Sequence, residues 1–163
     1  MAVFQAFQIL ARVPLINADG ANDLVPMFGD FTVPAAGLAV NDVVEMVGVP
    51  ATYVLVDLII DHDKLGTTMT ADVGYLSGNY GSTDQTRTCG LQFIAAADMG
   101  VASGVKRPTS AGCTRIAPVK GSSHLAQASG DRGVGFVVKS AAALTPGSVL
   151  RFTALYRPQI EGK

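Results

Sequence analysis

Tryptophan is absent, histidine and cysteine occur twice each, and charged residues make up only 15% of the chain. Each shortage removes a class of function. His62 and His124 lie far apart, with no His-x-x-x-His, His-x-His or Cys-x-x-Cys spacing, so no zinc site and no metal is expected. Cys89 and Cys113 are too few for a disulfide framework and read as buried or half-buried thiols of a reducing cytoplasm. The formal net charge is −1 and nothing basic is denser than the pair Lys106-Arg107, which excludes the basic face that nucleic-acid binding needs. No apolar run reaches membrane-spanning length, since the longest, Tyr53 to Ile60, is short and holds Asp57. The N-terminus is apolar but has no basic residues ahead of that stretch, so it does not read as a secretory signal.

Chemistry is equally scarce. Asp61-His62-Asp63 offers three potential ligands in a row. Neighbouring side chains on a strand point to opposite faces, so the tripeptide reads as a solvated strand-end turn. Ser123-His124 has no Gly-x-Ser-x-Gly elbow to expose a nucleophile. Gly100 to Lys106 nearly spells a phosphate loop, but Val105 separates glycine from lysine and Arg107-Pro108 blocks the helix that must follow. Gly130-Asp-Arg-Gly-Val-Gly135 carries the glycines of a tight hairpin, because no helix can be read after it. Without tryptophan, the only nearby aromatic pair for a sugar platform is Tyr75 and Tyr80, more simply one core and one loop residue. No catalytic residue and no cofactor is expected.

What is abundant is punctuation. Eighteen Gly and eight Pro cut the chain into short segments with β-branched and aromatic residues between them, the pattern of an all-β sandwich or barrel. Thr68 to Tyr75 alternates, placing Met69, Ala71, Val73 and Tyr75 on one face. Val149 to Tyr156 does the same with Leu150, Phe152, Ala154 and Tyr156 inward. Tyr53 to Ile60 is nearly continuous and predicts a central strand covered on both faces. Asp42–Val49 and Gly133–Lys139 are weaker strands, and Gly29–Val33 and Lys106–Pro118 shorter ones. The total of about seven or eight suits a single jelly-roll-like β-sandwich. Leu91 to Met99 is either one or two helical turns capped at Gly100, or a strand beginning at Phe93-Ile94.

Residues 1–28 stand apart from the sandwich expected over 29–163. Their apolar positions Val3, Phe4, Phe7, Ile9, Leu10, Val13, Leu15 and Ile16 fit neither period, and Asn17 to Asp23 reads as a loop. A mostly extended arm of this kind is either an added edge strand or a segment that orders against a neighbouring subunit. Low charge with a positive mean hydropathy points the same way, to a surface partly covered by a partner.

The order of short strand words carries a resemblance. Phe31-Thr-Val-Pro34, Leu38 to Glu45, Val49-Pro50-Ala51, Val54 to Asp61, Met69 to Gly74, Ala117-Pro118, Asp131 to Phe136 and Leu155 to Pro158 are similar to the decoration, cement or head-stabilisation proteins of tailed phages. The resemblance covers about residues 30–158. It implies a jelly-roll-like virion protein without cofactor or catalytic residues. It further implies manufacture in the host cytoplasm, self-association as a dimer or trimer, and binding to the major capsid protein on the outer capsid surface across capsomer boundaries. Rival readings are another virion component, such as a head-fibre base or tail-associated protein, and a carbohydrate-binding module.

Overall fold

The computed structural model describes residues 1–10, 24–50, 53–108 and 130–158. Within them the chain forms β1 (Val3–Gln5), α1 (Phe7–Leu10), β2 (Val25–Thr32), β3 (Val43–Val49), β4 (Tyr53–His62), β5 (Thr68–Tyr75), β6 (Ile94–Asp98), β7 (Gly104–Lys106), β8 (Arg132–Ala142) and β9 (Val149–Pro158). The segments of Lys106–Pro118 beyond residue 108, Ser123-His124, Cys113 and Asn17–Asp23 lie outside the described residues.

Alternation decides which side chains meet. In β2 every second residue is buried, from Val25 through Met27 and Gly29 to Phe31. Met69, Ala71, Val73 and Tyr75 of β5 and Leu150, Phe152, Ala154 and Tyr156 of β9 are all fully buried, on the faces that period-two reading assigns them. The strands pair as a nested hairpin: β2 with β9, β3 with β8, β4 with β7 and β5 with β6, all antiparallel. Folding that hairpin over gives sheets ordered β1-β3-β8-β5-β6 and β2-β9-β4-β7. The result is the all-β jelly-roll-like sandwich, with β1 added parallel to β3 at one edge. Aromatic rings bridge the sheets, with centroids 6.4 Å apart for Phe31 and Phe136 and 6.2 Å for Phe136 and Phe152.

Three expectations are corrected. Strand β4 is not covered on both faces: Tyr53 and Leu55 point inward, then Leu58, Ile60 and His62, with Val56, Asp57 and Ile59 only half-buried. A bulge between Leu55 and Asp57 shifts the phase by one residue, and that makes an alternating strand read as a continuous run. The fully covered strand is β3, buried at all seven positions. Second, His62 is buried rather than solvated, at the end of β4, while Asp61 and Asp63 are exposed. Third, Gly133 and Gly135 lie inside β8, not in a hairpin turn. A Cβ on Gly133 would collide with the Glu45 carboxylate and one on Gly135 with the Val44 carbonyl, so both glycines exist for close approach. Strand β2 starts at Val25.

The open alternatives also resolve. Residues 94–98 form an edge strand on β5, with Ala96 at φ 49° where its N–H donates to Asp72 Oδ1 at 2.8 Å. Among the described residues no helix is long and apolar enough to cross a membrane.

Candidate functional site

Residues 1–10 of the arm fold onto the sandwich rather than trailing from it. Val3–Gln5 pairs in parallel with Val43–Glu45, Ala6 N donates to Glu45 O at 2.8 Å, and Ile9 N and Leu10 N then close a single helical turn on Ala6 O. That turn sorts the apolar residues. Ala6 and Ile9 enter the core, and the Phe4 ring packs edge-on against Phe31 at 6.1 Å. Phe7 and Leu10 face outward, 70% and 64% exposed.

An open groove of about 670 Å³ follows from this arrangement. Three segments wall it: Val3, Phe4, Gln5, Phe7 and Leu10 of the arm, Asp30, Phe31, Thr32 and Pro34 along and just past β2, and Thr83 and Gln85 of the loop after β5. Of the arm residues singled out in the sequence, Val3, Phe4, Phe7 and Leu10 line the groove and Ile9 does not. Val13, Leu15 and Ile16 lie outside the described residues.

The groove runs between two sheet edges, because β1 and β2 are each the outermost strand of their sheet. An open edge presents backbone N–H groups that pair with any extended chain. Here glutamines occupy two of them: Gln85 Oε1 accepts from Val3 N at 3.2 Å, and Gln8 Oε1 accepts from Asp30 N at 2.9 Å. Both bonds are exposed, so an incoming strand could exchange with them.

Beneath the arm is a buried charge. Glu45 and Arg87 form an ion pair at 2.8 Å with side chains 0% and 1% exposed. The second carboxylate oxygen of Glu45 accepts from Gly81 N at 3.1 Å and from Gln5 Nε2 at 3.2 Å. Arg87 spends its other donors on its own loop, Nε to Ser77 O at 2.8 Å and Nη1 to Ser82 O at 2.9 Å. The loop is tightened further at Asp84, whose carboxylate accepts from Thr86 N and Thr86 Oγ1 at 2.8 Å each. The backbone bond from Thr86 is the larger cause holding that acid below its usual range. Segment 76–90 thus lies over the outer face of β3 and β8, which is why β3 is buried on both sides.

Neutral acids are buried nearby. Burial pushes the Cys89 thiol up to about 12 and the Tyr75 hydroxyl well above its usual range. Tyr80 is pushed up to about 12 by burial, reinforced by the negative charge of Glu45. The folded state therefore keeps protons that the unfolded chain releases, so stability is intact below about pH 9 and falls as pH rises from 9 to 12. Fully buried Tyr75 removes up to about 1.4 kcal/mol per pH unit in that window, and half-buried Cys89 and Tyr80 each contribute less. Urea unfolding at pH 11 should show about 3 kcal/mol less stability than at pH 8. Equal midpoints at the two pH values would contradict the burial of these protons.

No group of three metal-ligating side chains occurs among the described residues, and the Asp61-His62-Asp63 side chains do not converge. The groove is apolar, open and flanked by pairing edges, a geometry suited to gripping another chain.

No family model matches the chain, and no curated protein does. Among solved structures, a chain of the cyanophage Pam1 capsid asymmetric unit shares the fold, with a TM-score of 0.50 and 17% identity over 91% of this chain and 96% of that one. A chain in the capsid of Ralstonia phage GP4 superposes with a TM-score of 0.84 and 30% identity, covering 98% of this chain and 100% of its own length. At that identity over essentially both full lengths, the protein described here belongs to the same family as the Ralstonia phage GP4 capsid chain and is a phage capsid-related structural protein.

Proposed function

We propose that the protein is a cement or decoration subunit that binds the outer surface of an assembled phage shell across capsomer boundaries, and that it acts by binding rather than by catalysis. The observation that carries this reading is the outward display of Phe7 and Leu10 on the rim of an apolar groove, in a chain whose relative comes from a capsid. A subunit that binds only the assembled shell stabilises it by mass action, and the effect sums over every site occupied. An extended segment of the major capsid protein can fill the groove and displace Gln8 or Gln85 from the strand edges. The bound species is a dimer or trimer, since closed point-group symmetry is the rule for homo-oligomers and suits sites on capsid symmetry axes.

Removing the arm altogether is a poor test, because Ala6, Ile9 and Phe4 would leave the core with it. The double substitution Phe7→Ser/Leu10→Ser avoids that. Covering each side chain is worth about 1.5–3 kcal/mol, so affinity for purified undecorated heads should fall at least about tenfold while the melting temperature is unchanged. Unaltered head binding by the double variant, or binding of the parent protein to tails alone, would overturn the reading.

A further inference from the structure

Two of the three walls of the groove, the arm and the loop, come from distant parts of the chain, and one buried carboxylate touches both segments. Glu45 accepts from Gln5 Nε2 in the arm and from Gly81 N in the loop on the same oxygen, while its other oxygen holds Arg87. Its backbone carbonyl also accepts from Ala6 N. A second arm–loop bond, Val3 N to Gln85 Oε1, closes the circuit at the rim. Glu45 itself does not line the groove. Its carboxylate packs closely against Gly133, where a Cβ would overlap Oε1.

We infer that Glu45 is a positioning residue of the groove: it locks the arm (residues 2–6) and the loop (residues 81–87) to each other, so these two of its three walls are set or released as one unit. A carboxylate buried with three donors is held only while all three remain. Withdrawing Gln5 lets it swing and loosens Gly81, and withdrawing Arg87 or Gly81 loosens Gln5. A strand entering the groove and pulling β1 outward would therefore free the loop as well. Binding at one wall is reported at the other. The consequence for capsid binding rests on the function proposed above; the lock itself does not.

Hydrogen exchange read by mass spectrometry on the full chain tests it, with Gln5→Met and Glu45→Gln. In Gln5→Met the ion pair is untouched, yet amides of residues 81–87 should exchange roughly five-fold faster, the loss of one ordinary hydrogen bond. Amides in the ladder between β5 and β8 should keep their parent rates. In Glu45→Gln both walls should speed up by a common factor larger than any change in that ladder. Parent-like exchange of the loop in Gln5→Met shows independent walls and overturns the lock, and this variant decides alone if Glu45→Gln does not fold. Occupancy of Glu45→Gln on empty heads provides the separate reading. Coupled exchange with full occupancy leaves the lock standing and removes the groove from capsid binding, whereas reduced occupancy supports both.

Discussion

Arg87→Met will destabilise the protein by about 3–5 kcal/mol, the usual consequence of stranding one member of a buried ion pair. The guanidinium is 1% exposed and serves three acceptors, Glu45 Oε1, Ser77 O and Ser82 O, all within 2.9 Å. Methionine fills similar space but leaves the Glu45 carboxylate facing Gly133 and Gly81 with no cation. For a domain of this size the loss corresponds to a melting temperature lower by roughly 6–20 °C. Lysine should rescue only part of it, because one ammonium cannot present three planar donors in these directions. The double variant Glu45→Gln/Arg87→Met should regain 1–3 kcal/mol or so over Arg87→Met alone, since the uncompensated charge is gone. Thermal melts of the four proteins at pH 7 give the comparison. A melting temperature for Arg87→Met within 2 °C or so of the parent would show that the pair contributes nothing.

That pair also marks the limit of what the residue order conveys. Strands β5 and β9 were legible because period-two alternation is local, and every inward residue assigned from it is buried. The sandwich class followed from punctuation. Strand β4 misled because its bulge shifts the phase, and a bulge leaves no mark on composition. Strand β3 looked ordinary, yet it is the most covered strand, because its second cover comes from segment 76–90, about 40 residues away along the chain. Glu45 sits 42 residues from Arg87, and nothing in the intervening sequence couples them. The arm was legible as apolar and anomalous, but not as sorted. One helical turn sends Ile9 inward and Phe7 outward, a distinction that needs the turn to exist. The two edge-capping glutamines had no signal at all, since a glutamine on an exposed edge looks like any surface residue.

Phe136→Ala is the second large expected effect, about 3–5 kcal/mol for deleting a fully buried aromatic ring. Its position makes it more than a cavity. The rings of Phe4, Phe31, Phe136 and Phe152 form a chain with successive centroids 6.1, 6.4 and 6.2 Å apart, running from the arm through β2, across to β8 and back to β9. Phe136 is the link that joins the two sheets twice. Removing it leaves Phe31 without its partner across the sandwich, and Phe31 is the floor on which the arm's Phe4 rests. Phe4→Ala, by contrast, deletes a half-buried ring at the end of the chain and should lower global stability by less than half as much. The two variants separate arm from core: Phe136→Ala should speed exchange in the sheets and the arm together, Phe4→Ala in the arm first. Equal losses of stability in the two would mean that the arm is as integral to the sandwich as β8, and that the groove beside it is a rigid feature of the fold.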